Sequence, residues 1–200
     1  MSKIALKAND SGTGTFEIQA PATNTNRVLE LPDEAGKIVT NATPGTVLQV
    51  VNNTLTGTAA STTPAGDYTS SNLIEASITP TSASSKILII VNAVTSNNST
   101  FLTYGALYRG STAIGIGDAA SARRRATSVV RPAAADTLTP MSISYLDSPS
   151  TTSATTYGLR LGTSFDGPIV VRLNRTQADG DTINSTGRSV SSITLMEIAG

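Results

Sequence analysis

"KILIIVNAVTS", residues 86–96, holds the longest apolar run of this 200-residue chain, Ile87 to Val91. Five residues cannot cross a bilayer, which takes about 20 in a helix. The run is rich in β-branched side chains, which suit a pleated surface. It is apolar at odd and even positions alike, so both faces of the strand are expected to be covered. A second stretch of this kind is Ile169 to Val171 with Leu173. Both read as central strands.

Working outward, further strands are expected at 46–53, 72–80, 101–110, 111–118, 137–147, 155–163 and 191–199. Each is short and bounded by Gly, Pro, Asn, Asp or Ser, at the spacing of a sandwich or barrel. The segments 54–71, 119–136, 148–154 and 176–190 read as loops. Only "DAASARRRATSVV", 118–130, has a composition that suits a helix. It lacks an apolar stripe and is read as loop. In the last strand Ile193 and Leu195 face one way and Thr194, Met196 and Ile198 the other, which ties that end of the chain into the core.

Composition excludes several classes of function. The 14 basic and 14 acidic residues balance, so there is no basic excess to release counterions from nucleic acid. Trp is absent and Phe numbers three, few for stacking bases. Neither a nucleic-acid partner nor membrane insertion is expected. "MSKIALKAND" has no apolar core of a signal peptide. Ser and Thr exceed a quarter of the chain, which favours strands and turns over long helices. A wholly disordered chain is rejected, because hydrophobic residues still make up 38% and recur in patches.

Residues 1–42 differ from the rest. "KIALKA", "GTGTFEIQA", "RVLELP" and "GKIVT" are short alternating pieces broken by Pro21, Pro32 and Gly36. Each offers one or two apolar side chains per face. At about 25 cal/mol per Å² that burial cannot offset roughly 1–2 kcal/mol of backbone entropy per residue. This segment is therefore expected to need other copies of itself, or a partner surface. A turn-rich hinge, 41–47, separates it from residues 43–200.

"ALKANDSGTGTFEIQAPATNTNRVLELPDEAGKIVT" resembles a segment common in bacteriophage tail-fibre and other virion structural proteins. Gly12 to Thr15, Ala20-Pro21, Asn24 to Arg27 and Leu31 to Asp33 carry the likeness. "GTVLQVV", "ITPTSASSKILIIVN", "LYRGSTAIGIGD", "SYLDSPSTTSATTYGLRL" and "ITLMEIAG" are similar to the C-terminal domains that accompany it. The resemblance implies a homotrimeric fibre on a phage virion. Its head would be a jelly-roll-like sandwich of the kind found in C1q- and tumour-necrosis-factor-like trimers. Longer members carry a virion-anchoring domain before the "SGTGT" segment, which here stands near Met1. Either residues 1–42 dock to other virion proteins or another protein does the docking.

The residues offer little chemistry. With neither His nor Cys, the usual general base, thiolate and zinc ligands are missing. The four lysines, Lys3, Lys7, Lys37 and Lys86, lie near no serine elbow. Asp166, Asp179 and Asp181 could supply a glycosidase carboxylate pair or a calcium site, but Asp-Gly is more often turn chemistry. "GIGDAA", 115–120, imitates a dinucleotide fingerprint without its helix. Asn-x-Ser/Thr triplets arise by chance in such a composition. No catalysis, cofactor or metal is expected. Arg123, Arg124 and Arg125 form the one basic cluster and could grip an acidic glycan or lipopolysaccharide phosphate, or merely line a solvated loop or pair with Asp118 or Asp136 of another subunit. An exposed tyrosine of a receptor-binding domain could stack on a sugar face, but four of the five tyrosines lie in or beside expected strands, so packing in the core or an interface is expected.

The expectation is an all-β chain: an N-terminal extended, short-strand fibre segment, 1–42, then an antiparallel jelly-roll-like β-sandwich head, 43–200, in a homotrimer. It would be made in the host cytoplasm, sit on the virion as a tail fibre or other appendage, and bind a host-surface glycan or protein. The loops 54–71, 119–136 and 176–190 are the candidate contacts, with Arg123, Arg124, Arg125, Asp179 and Asp181 as candidate residues. The alternative is a structural decoration, head-fibre or collar protein with no receptor role. A glycan-hydrolysing tailspike is the third reading.

Overall fold

The computed structural model describes residues 43–181 and 186–200, together with 11–14, 22, 24 and 28. Apart from 11–14, 22, 24 and 28, none of which is in a strand, the short-strand reading of 1–42 lies outside the described residues. Among those described there is no helix and there are eleven strands, all within the unit Ile38–Gly200.

β1 (Val47–Leu55), β11 (Ser191–Ile198), β4 (Lys86–Asn97), β8 (Thr139–Asp147), β10 (Ile169–Leu173) and β2 (Ala59–Thr63) form sheet A. β4 is its spine: β8 lies along one edge, while β11 and β10 share the other. β1 pairs with β11 and β2 with β10. Sheet B runs β3 (Ile74–Ile78), β9 (Thr155–Thr163) and β5 (Thr103–Arg109). β6 (Thr112–Ile114) and β7 (Ser128–Val130) both lie on the far edge of β5. Every pairing is antiparallel, and the two sheets make a sandwich.

Alternation sets the core. Ile87, Ile89 and Val91 of β4 are fully buried and meet Ile193 and Leu195 of β11 and Val171 and Leu173 of β10. Tyr157, Leu159 and Leu161 of β9 and Leu107 of β5 come from the opposite sheet. Full burial of one such side chain contributes roughly 1.5–3 kcal/mol.

The nine expected strands are all present, and β4 and β10 are central as expected. Three expectations need correction. β2 and β7 formed within segments read as loop; "AASTT" and "SVV" are too short or too polar to signal a strand, and pairing to β10 and β5 makes them one. β4 is not sealed on both faces: Leu88, Ile90 and Val94 are half-buried on the outer face of sheet A. On that face Val50, Met196, Leu88 and Leu146 stand in register as one apolar row across four strands. β10 has its polar exception at Arg172, which is buried on the outer side.

The registers fix two ends. Residues 43–47, 81–86, 109–112, 147–155 and 198–200 gather at one, here the proximal end. Gly45 N donates to Ala199 O at 2.8 Å and Ala199 N to Thr46 O at 2.8 Å, so the chain enters β1 beside its own last strand. The sheets are tied there by Asp147 of β8, which takes Arg109 Nη1 of β5 at 2.9 Å and the Tyr157 hydroxyl of β9 at 2.7 Å. Residues 97–103, 131–138 and 163–169 gather at the opposite, distal end.

Candidate functional site

Three loops were candidates from sequence, and the fold joins them in series. Segment 64–72 crosses from β2 to sheet B. There Thr69 N donates to Leu161 O at 2.8 Å and Tyr68 bridges Gly162. That sets Tyr68 on the outer face of sheet B beside Tyr104 and Tyr108 of β5. Tyr68 and Tyr108 meet edge to face, 6.3 Å between centroids.

The three arginines part company here. Arg124 lies over Tyr68 at 5.6 Å and over Tyr104 at 5.5 Å, and its Nη1 donates to Asp67 O at 2.8 Å. It can lie flat because Gly162 has no side chain; a Cβ there would stand 2.7 Å from Arg124 Nη1. Arg125 turns the other way, its Nε donating to Gly117 O at 2.6 Å while its carbonyl takes the Tyr68 hydroxyl at 2.6 Å. Arg123 is exposed, with its backbone N–H on Ala120 O at 3.1 Å. A second cation–π contact, Arg160 over Tyr108 at 4.0 Å, continues the ladder. Burial pushes the Tyr68 hydroxyl up against the pull of the Arg124 charge, so it stays a neutral donor.

The loops 119–136 and 176–190 meet at Asp136. Its carboxylate accepts the backbone N–H of Gln177 and of Ala178. Asp179 lies between two cations, 2.6 Å from Arg188 and 3.5 Å from Arg175. Engaged this way it serves loop closure, and no group of three or more Asp or Glu suited to a metal occurs among the described residues. Asp181 is exposed in the same loop. Arg172 lies on the outer side of β10. Burial lowers its pKa, the Arg175 charge adds to this, and Asp136 opposes it.

Tyr157 alone among the tyrosines is fully buried; Tyr68, Tyr104, Tyr108 and Tyr145 are half-buried. The mimic at 115–120 runs as coil after β6. Sequence reasoning passed over one feature of the distal end altogether. Phe101 and Phe165, 64 positions apart, stack at 4.9 Å and 29° and are 38% and 41% exposed. Nothing local in the sequence pairs them. At the proximal end a cleft of about 360 Å³ is lined by Leu48, Thr81, Ser82, Ser84, Ser85 and Gly200 among others. Thr81 there donates through both N–H and hydroxyl to the buried Glu197 carboxylate at 2.7 and 2.8 Å.

No family model matches the sequence, and no curated protein matches it. A chain in the solved structure of the infectious bursal disease virus Gx strain is similar to this one, at 17% identity and a TM-score of 0.37. The likeness covers 76% of this chain and 37% of that one, so this chain spans little more than a third of its neighbour's length.

Proposed function

We propose that the chain is a non-enzymatic virion fibre protein, a homotrimer that adheres to a host-surface glycan or protein through its distal loops. One observation carries the reading. Three loops far apart in sequence are locked to one another through Tyr68, Arg124 and Asp136 on a rigid β scaffold. Binding residues on loops need that kind of fixed platform. The distal loops also lie opposite the end where the chain enters β1.

Assembly is supported by the outer face of sheet A. Of the outward positions on β1, β11, β4 and β8 only Lys86, at the rim, carries a charge. Val50 is 56% and Leu146 48% exposed within the apolar row. A second copy would shield it, and three weak sites on one head would raise avidity without tight single contacts.

Light scattering on the purified chain tests the trimer: the expected mass is three copies, and Val50→Glu is expected to shift it toward one. A monomer in both would end the fibre reading. Cell binding separates adhesion from a purely structural role. A decoration protein would bind virion particles and leave cells alone, with its distal loops dispensable.

A further inference from the structure

We infer that Phe101 and Phe165 form an aromatic platform for one pyranose ring of a host-surface saccharide, an inference that rests on the adhesion reading and gives it a site. The chain has three Phe in all. Of these, Phe101 and Phe165 lie outside the buried core and are placed together, exposed, at the distal end. Leaving large apolar side chains in water forgoes stabilisation, so a built, exposed pair is informative where scattered single residues are not.

The pair is held in place. Leu102 N donates to Ser164 Oγ at 3.0 Å and Ser164 N to Leu102 O at 3.1 Å, which staples the two loops between the rings. Ser99 Oγ accepts Phe101 N at 3.3 Å, and Asn97 Nδ2 reaches Phe101 O at 3.4 Å and Thr103 Oγ1 at 2.8 Å. Asn97 is fully buried, so this support is anchored in the sandwich. Gly167 leaves the space into which Phe165 folds; a Cβ there would collide with the ring.

Size decides the occupant. The rings are near 40% exposed, which from the area of a Phe side chain gives on the order of 150 Å² of open aromatic surface. A specific protein partner takes about 800 Å² on each side. The patch is too small to found a protein interface and matches one sugar ring. The axial C–H bonds of a pyranose carry partial positive charge and meet the negative face of an aromatic ring. The hydroxyl groups at the sugar's rim need donors and acceptors. Asn98, Thr100, Ser164 and Asp166, all exposed and within three positions of a ring, supply both.

The test uses the full chain carrying ¹³C-labelled Phe, whose ring signals are assigned with Phe101→Leu and Phe165→Leu. Methyl glycosides of glucose, galactose, mannose, rhamnose and N-acetylglucosamine are titrated to about 0.1 M, well above the millimolar dissociation constants of weak single sites. The expected result is movement of the Phe101 and Phe165 signals with at least one glycoside while Phe16 stays still. Phe165→Ser should weaken the response at Phe101 about tenfold or more with unchanged thermal unfolding. No movement with any glycoside would overturn the inference. So would broadening of both rings with protein concentration alone, which would make the pair a contact between copies. Adhesion is scored separately. Full cell binding by a Phe101→Ser, Phe165→Ser chain removes the platform and leaves adhesion standing. Glycoside shifts in a chain that binds no cell remove adhesion and leave the platform.

Discussion

At the scale of single residues, the buried side chains of Glu197 and Asn174 are held by several partners each, and the loss of either is measurable. Glu197 is fully buried. Burial alone would push its carboxyl up. Hydrogen bonds from Gln49 and from Thr81 outweigh that and hold it down to about 2, from 4.5. The unfolded chain thus binds a proton below about pH 4.5 that the folded chain refuses until about pH 2. Stability conferred by Glu197 is present above pH 4.5 and lost as pH falls toward 2, up to about 3 kcal/mol. Urea unfolding of Glu197→Gln should show lower stability at pH 7 and a shallower decline over that window; an unchanged slope would reject this account. Asn174 holds a left-handed backbone, φ 66°. Its Nδ2 donates to Leu55 O at 2.7 Å and Gly57 O at 2.8 Å, and its Oδ1 accepts the Ser191 hydroxyl at 2.6 Å. Asn174→Ala should cost about 3–4 kcal/mol from strain and three lost bonds. Asn174→Gly, free of the strain, should cost less. Arg124→Ala should cost about 1–3 kcal/mol, the sum of two cation–π contacts and one hydrogen bond. Arg123→Ala should stay within about 0.5 kcal/mol. Sequence could not rank these neighbours, because what separates them is Gly162 and Tyr68 on other segments.

At the scale of elements, most of the fold was legible. A strand with one face in the core writes its period of two into its own residues, and β9, expected at 155–163, is observed at Thr155–Thr163. β2 and β7 were not legible because their stability lies in their partners. "AASTT" becomes a strand because β10 offers it an open edge. The unbroken run at 87–91 misled about its outer face, since apolar residues mark a surface that excludes water without saying what covers it. Ile89→Ala should cost about 2–5 kcal/mol in any assembly state. Leu88→Ser should cost far less in isolated chains and more in the assembled particle, a difference that denaturation at two protein concentrations resolves. Outside β2 and β7 the candidate loops were legible as loops, but their joining through Asp136 and Tyr68 depends on how the sheets bring them round. The Phe pair has the same origin: two separate turns at the same end of the sandwich.

At the scale of the whole molecule, the separation of the ends matters most. Gly200 lies at the proximal end, against Ser84. A fluorescent protein fused after Gly200 should leave adhesion intact, whereas an insertion of similar bulk at 164–168 should abolish it while mass and thermal unfolding stay the same. Equal adhesion by both fusions would place binding elsewhere. The position of β1 has a mechanical consequence. A particle tethered through residue 43 and anchored through its distal loops is stretched along the strands. β1 is joined to its neighbour by pairs running from Val47 with Ile198 to Leu55 with Ser191. Antiparallel hydrogen bonds lie across the strand direction, so this pull loads them in shear. The whole ladder must yield together, where a strand peeled sideways would surrender one bond at a time. On the proposed adhesion reading, a head built this way resists unfolding most in the direction in which a moving cell would drag it.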